Sequence, residues 1–495
     1  MSDNEKEKIS EQSMPFGSAM FCLGFLLVSM ISSVIWLDIP THINLIASIA
    51  VTLLVAWLNN GRDWKKLADA IDYGGKICIQ PTIIMMLIGA LIAAWIVCGT
   101  VPMIIYYGLK IINPSVFLLT ASIITAIIGV ATGSSWSAAG TVGVALMGIG
   151  AGLEVNPSMT AGAIISGAYL GDKMSPMSDT TNLAPAVSEG DLFDHIKSMV
   201  YTTLPAFLIS LVVYGVLGMK HSSGTVESEA VQATLKAIED NFDMNIFLLL
   251  PAVAVIIMAA KKCPSIPTLL VSTLVGVILA IVFQGEKFGE ITNILNSGFS
   301  IETGIEDFDV LMSRGGLQSM LSTAALGILG MLYGAIMEKT GLLNAFLTAI
   351  KPLIKSLGGL VLAVVLTCTL LLAATASQTL AIIVGGRMFV TEFRKRDLLP
   401  QTLSRTLEDS GTIISPLIPW SLCGAYMAGT LGVSTIAYLP FAVFCWIDPI
   451  IAVIYGFTGK FFWKTGERNS VRTYRPLTAE ETEKLQAKGK KKKNK

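Results

Sequence analysis

The sequence predicts an all-α polytopic membrane protein built on an inverted-topology repeat, with broken helices at mid-membrane depth. Three observations point there. Hydrophobic residues make up 53% of the 495-residue chain and charged residues only 14%, against about 25% in soluble domains. Apolar runs long enough to cross a hydrocarbon core recur along its whole length. Two polar, helix-breaking stretches lie deep in that apolar sequence, and each occurs twice. The first copy reads Thr132-Gly133-Ser134-Ser135-Trp136-Ser137, then Gly171-Asp172-Lys173-Met174-Ser175-Pro176-Met177-Ser178-Asp179-Thr180-Thr181-Asn182. The second reads Thr375-Ala376-Ser377-Gln378-Thr379, then Glu408-Asp409-Ser410-Gly411-Thr412 running on to Ser415-Pro416 and Pro419-Trp420. Thr132 and Thr375 are 243 residues apart, Asp172 and Asp409 237, Pro176 and Pro416 240. Polar backbone at this depth survives only where it lines a cavity or is buried in protein. Paired in two halves, it marks a carrier's binding site.

Candidate full spans are 16–37, 42–58, 77–98, 157–190, 198–219, 245–262, 267–283, 317–338, 400–432 and 434–458. Two more apolar pairs, 115–131 with 136–153 and 357–374 with 376–393, flank the Ser/Thr tips. Each pair is either a re-entrant hairpin or two crossings, which gives about 10 transmembrane helices plus two hairpins, or 12–14 spans. The run 16–37 is too long for a signal-peptide core and has no small-residue cleavage site, so it reads as a retained span.

Lys/Arg placement sets the orientation. With both termini inside, 27 of the 35 basic residues fall on the cytoplasmic side, five outside and three (Lys173, Arg387, Arg405) at membrane depth. Loops 220–243 and 285–315 are acidic and face outward. The first half then starts inside and ends outside, and the second does the reverse. Secondary matches agree: Gly89 with Gly330, Leu91 with Leu332, Pro114 with Pro352, Pro205 with Pro440. Segment 59–76 corresponds to 285–316, each ending in a glycine pair and each expected at an interface. The chain therefore divides into a cytoplasmic tail (1–13), a first repeat (14–220), an external acidic linker (221–242), a second repeat (243–463) and a polybasic cytoplasmic tail (464–495).

Four carboxylates, Asp172, Asp179, Glu408 and Asp409, sit where a bilayer excludes charge, and each is a functional candidate for that reason. A small hard cation prefers carboxylate, hydroxyl and carbonyl oxygens. Burial favours a protonated carboxyl and a bound cation favours the ionised form, so ion and proton compete for one group. Asp179-Thr180-Thr181-Asn182 is the densest run of such oxygens. Lys173 neighbours Asp172, while Arg405 lies one turn before Glu408 and Asp409, the spacing of an internal salt bridge. The alternative is that these charges only hold broken helices together. Ser and Thr at the tips also have a bland role, bonding their own backbone or joining helices. Arg387 either attracts a carboxylate or snorkels to the inner surface.

Other residues carry less. Seven scattered cysteines show no CxxC or disulfide framework, and the three histidines form no metal or catalytic set. There is no GxxxxGK[ST], so this chain does not drive transport with ATP, and no cofactor or nucleic acid is expected. Trp36, Trp57, Trp446 and Trp463 mark span ends.

The stretches 132–136 and 171–182 resemble the NhaC sodium/proton antiporter family, and the resemblance extends over about 15–460. It implies the ion-transporter superfamily, with inverted repeats, paired hairpins and broken helices. It implies a secondary transporter, not an enzyme, in the cell inner membrane. The first expectation is Na⁺ (or Li⁺) exchange for H⁺ by alternating access. Asp172 and Asp179 would be the exchanging, Na⁺-holding carboxylates. Ser134, Ser135, Thr180 and Asn182 would be neutral ligands, with Ser377, Gln378, Glu408 and Asp409 opposite. The family also contains malate/lactate antiporters, so the alternative is an organic-acid exchanger whose substrate meets Lys173, Arg387 or Arg405. A channel or a structural scaffold explains duplicated intramembrane carboxylates less well. Expected partners are membrane lipid and small ions or organic acids; a homodimer is allowed for.

Overall fold

A computed structural model describes residues 15–32, 39–59, 62–221, 229–261, 263–342 and 354–464. Both terminal tails, the end of the first candidate span and Pro352 lie outside that set. The described chain is helical throughout, with a lone backbone bridge between Leu398 and Lys464. Helices α1 (Phe16–Ser32) and α2 (Thr41–Asn59) lead into α3 (Trp64–Val97) and α4 (Thr100–Ile111). α5 (Phe117–Thr132) and α6 (Ser135–Ala138, a π turn at Ala139–Gly143, then Val144–Gly152) meet at the first tip. α7 (Pro157–Met174), α8 (Asp179–Val187) and α9 (Leu192–His221) follow, then α10 (Glu229–Asn241), α11 (Leu250–Ala260), α12 (Ser265–Phe283), α13 (Phe288–Ser297) and α14 (Glu306–Met312). α15 (Leu321–Lys339) precedes the second tip, which joins α16 (Leu357–Thr375) to α17 (Gln378–Arg394). α18 (Pro400–Leu407) runs into a π turn at Glu408–Thr412, and α19 (Leu422–Leu431), α20 (Thr435–Tyr438) and α21 (Val443–Thr458) complete the chain.

Among the described residues seven helices are long and apolar enough to cross a membrane, or up to nine if each of two sharply bent pairs is one span. That is fewer than the ten full crossings expected, for a physical reason. Runs 157–190 and 400–432 are too polar over their length, and they break midway, at 175–178 and around Ile418, where Pro176 and Pro416 remove backbone donors. Run 434–458 divides at Pro440, whose neighbours form a short 3₁₀ turn. Segment 59–76 also differs from expectation. It is mostly the start of α3, capped by Asp63, whose carboxylate accepts from the Lys65 amide. Its 34 residues span about 51 Å, well beyond a hydrocarbon core of about 30 Å. Gly74 and Gly75 are therefore helical, whereas Gly315 and Gly316 both have positive φ in a tight turn. The acidic linker likewise contains a helix, α10, which buries Val231, Leu235 and Ile238.

The largest apolar cluster gathers α3, α5–α7, α19 and α21 around Trp95, Tyr169, Tyr214, Tyr426 and Tyr438. The most extensive helix contact is α5 against α7. It rests on small residues that let the backbones touch: a Cβ on Gly167 would lie 2.0 Å from the Ser122 carbonyl oxygen, and one on Gly171 2.5 Å from that of Ala126. This contact fixes where α7 ends, and hence where Asp172 and Lys173 sit. Gly167→Val forces the two backbones apart and costs about 1–3 kcal/mol or more. It is expected to lower the thermal midpoint of the purified protein clearly. Gly75→Ala, with open space around it, should leave that midpoint unchanged or raise it.

Candidate functional site

The two tips have the same local geometry. α5 ends at Thr132, Gly133 turns left-handed (φ 66°), Ser134 is extended, and its Oγ accepts from the Ser137 amide to start α6. α16 ends at Thr375, Ala376 turns left-handed (φ 54°), Ser377 is extended, and its Oγ accepts from the Leu380 amide to start α17. Serine suits both places because its hydroxyl satisfies a first-turn amide. The helices resuming after each break are capped alike, by Ser178 to the Thr181 amide and by Ser421 to the Gly424 amide. Each tip packs on its own break. A Cβ on Gly133 would sit 2.8 Å from the Met177 carbonyl carbon, and the Ala376 carbonyl accepts from the Leu422 amide at 2.9 Å. The first tip also reaches the second set: Trp136 stacks flat on Tyr426 of α19, ring centroids 4.2 Å apart, and the Tyr426 hydroxyl donates to the Trp136 carbonyl.

Charge converges where α7, the π turn, α9 and α21 meet. Asp172, 6% exposed, accepts from the Ser135 amide (3.1 Å) and hydroxyl (2.7 Å), so its carboxylate reads the first tip directly. Lys173 points elsewhere. Its Nζ donates to Asp409 Oδ1 at 2.5 Å and to Asp448 Oδ2 at 2.6 Å, and all three side chains are fully buried. Thr202 of α9 adds a hydroxyl to Asp409 Oδ1 at 3.0 Å. Thr181 reaches back from α8 to the Asp172 and Lys173 carbonyls, satisfying acceptors that the end of α7 leaves open. Glu408 is fully buried beside them, within electrostatic reach of Asp172, Lys173 and Asp409. Neither of its oxygens has a hydrogen-bond partner among the described residues, nor do Asp409 Oδ2 and Asp448 Oδ1.

Several expected residues stand outside this centre. Asp179 is exposed as the first residue of α8, where an acid suits the positive end of the helix dipole. The exposed Asn182 gives its amide to the Pro176 and Ser178 carbonyls, holding the break itself. Thr180 is buried against Ser178 Oγ. Gln378 accepts from Ser415 and Cys423, and Arg387 is exposed on α17.

The salt bridge expected between Arg405 and Glu408 or Asp409 is not formed. Asp409 is already taken by Lys173, and the π turn beginning at Glu408 shifts the helical register. Arg405 instead donates to the Phe461 carbonyl at 3.0 Å and to Ser198, and stacks over Phe462 and Trp463. Sequence reasoning missed Asp448. Its signal was available: a lone acid before Pro449 inside the apolar run 434–458.

A multi-pass helical protein whose helices break in pairs around buried carboxylates has the build of a membrane carrier. The comparisons agree. The Na⁺/H⁺ antiporter family matches residues 167–460. The chain is 37% identical over 451 residues to the Na⁺/H⁺ antiporter NhaC of Alkalihalophilus pseudofirmus, covering 91% of this chain and 97% of that one. It is equally 37% identical, over 450 residues, to the malate-2H⁺/Na⁺-lactate antiporter of Bacillus subtilis, covering 91% and 96%. It is 35% identical over 465 residues to the arginine/ornithine antiporter ArcD of Halobacterium salinarum, covering 93% and 95%. The chain belongs to the NhaC family of Na⁺/H⁺ antiporters. It is a secondary antiporter and not an enzyme.

The charge balance at Lys173 gives a stability test. Removing one partner of a buried pair costs about 3–5 kcal/mol because it strands the other charge. Lys173→Met, which strands two acids, should lower the thermal midpoint more than Asp448→Asn, which leaves Asp409 in place. Combining Lys173→Met with Asp409→Asn and Asp448→Asn should recover part of the loss.

Proposed function

We propose that this antiporter exchanges Na⁺, and Li⁺ with it, for H⁺ across the inner membrane, by alternating access of one buried site and with both termini in the cytoplasm. The observation that carries the reading is the charge balance of that site. Asp172, Glu408, Asp409 and Asp448 are buried together against one ammonium, Lys173, which two of the acids already share. Ionised carboxylates in such number are not stable at this depth without a further cation or protons. Na⁺ and H⁺ are then alternative ways of neutralising the same oxygens. Exchange follows if the empty, fully charged site cannot reorient.

The side chains divide the work. Asp172 is the exchanging carboxylate, because its ligands are the amide and hydroxyl of Ser135, on a tip that a small rearrangement would move. Ser134 and Thr180 are neutral oxygens beside it, with Ser377, Gln378, Glu408 and Asp409 on the facing side. Asp179 and Asn182, on the exposed side of the first break, are where an arriving ion first meets oxygen. The Lys173–Asp409–Asp448 group ties α7, the π turn and α21 into one body against which the tips work. The matching geometry of the two tips supports the inverted repeat that the sequence spacing suggests. An organic acid at this same centre is disfavoured, since Lys173 is engaged twice over and Arg405 is turned toward Phe461.

Sealed proteoliposomes holding a pH-sensitive dye test the reading. An imposed Na⁺ gradient alone should move protons. Asp172→Asn should abolish the flux, and Ser135→Ala should reduce it roughly ten- to hundredfold, the value of hydrogen bonds to a charged group. If Na⁺ does nothing until malate or lactate is added, organic-acid exchange takes its place.

A further inference from the structure

A second polar site lies away from the exchange centre. A cavity of about 370 Å³ is lined by Arg314, Ser297, Ser313, Ser319 and Thr430, with Ile92 among its apolar walls. Its volume falls within the range of small-molecule sites. Arg314 belongs to the 285–316 segment, which the proposed orientation puts outside.

The backbone holds Arg314 firmly. Its carbonyl accepts from the Phe299 amide, and the next two residues, Gly315 and Gly316, take φ of 84° and 85°. The Gly316 amide donates to the Gly89 carbonyl of α3 at 2.7 Å, and a Cβ on Gly315 would lie 2.5 Å from the Ala93 nitrogen. Only glycine fits this clamp. The guanidinium rests on the bare backbone of Gly432, where an added Cβ would sit 3.3 Å from Nη1.

Two observations bear on what the cavity could hold. First, Arg314 is partly buried and has no acidic partner among the described residues. Three other sheltered cations among the described residues are engaged: Lys173 by two aspartates, Arg405 by a carbonyl, a hydroxyl and two rings, Arg394 by Glu189. A partly desolvated charge with no counter-charge gains from an anion. Second, the Thr430 hydroxyl, on a residue 4% exposed, makes no hydrogen bond of normal geometry among the described residues; the Tyr426 hydroxyl is the polar group that interacts with it. Among the described residues no acid lines the cavity, which does not suit a cation.

We propose that this cavity binds a small organic carboxylate, with Arg314 as the charged anchor and Thr430 as a hydroxyl ligand. The planar guanidinium matches a carboxylate through two parallel bonds, the serines take further oxygens, and Ile92, Val144 and Met320 cover the carbon chain. A single chloride would leave most of the volume unfilled. The site also has a route to the tips. Thr430 stands one helical turn beyond Tyr426 on α19, and Tyr426 is the residue stacked on Trp136. An occupied cavity therefore bears on the helix that touches the first tip.

Binding of radiolabelled lactate and malate to the purified full-length chain in lipid nanodiscs, without Na⁺, tests this independently of ion exchange. Saturable binding is expected, weakened roughly ten- to hundredfold by Arg314→Gln and unchanged by Lys287→Gln, an exposed cation of the same segment. Thr430→Val, nearly isosteric, should also weaken it and serves if the arginine variant does not fold. The proposal is overturned if the wild type binds neither acid, or if neither variant changes binding. It is overturned equally if chloride or phosphate displaces the label as well as unlabelled acid does, since that marks an unselective anion site.

Discussion

Two short hydrogen bonds from one ammonium organise this molecule. Lys173 ends α7, Asp409 lies in the π turn of α18, and Asp448 lies within α21, so three segments far apart in sequence share one buried charge. An ion pair this deep is a poor source of net stability, because desolvation offsets most of the attraction. Its effect is positional. Lys173 cannot leave without stranding two acids, so the end of α7 is fixed, and with it Asp172, one residue earlier and about 100° around the helix. The Asp172 carboxylate is thus aimed at the first tip by a charge it does not touch.

Around that anchor the chain uses one device twice. A helix stops, one residue turns left-handed, a serine extends and caps, and a new helix begins. The device exposes first-turn amides and last-turn carbonyls at membrane depth, and the protein answers them with hydroxyls. Ser134, Ser178, Ser377 and Ser421 cap, while Thr181 reaches back across a break. Much of the Ser/Thr content that marks these stretches therefore serves the backbone, leaving Ser135 with its hydroxyl and amide on the Asp172 carboxylate.

That division explains what the sequence made legible. The tips and breaks were readable, because polar residues and prolines are rare at such depth and stood at matching intervals. Asp172 was readable for the same reason. The wiring was not. Adjacent residues on a helix point about 100° apart, so Asp172 and Lys173 serve different partners, and the π turn at Glu408 removes the spacing from which a bridge to Arg405 was inferred. Asp448 is a single acid in a long apolar run, without a duplicate to draw attention. Arg314, in a segment read as external loop, gave no sign that a glycine clamp would fold it back into a cavity.

The left-handed residue is glycine at the first tip but alanine at the second. Glycine enters that conformation at no steric cost, whereas an L-residue stores about 1–2 kcal/mol in it. Two turns alike in shape thus differ in stored energy. If the tips move during exchange as proposed, the second brings that energy into the cycle and the first does not.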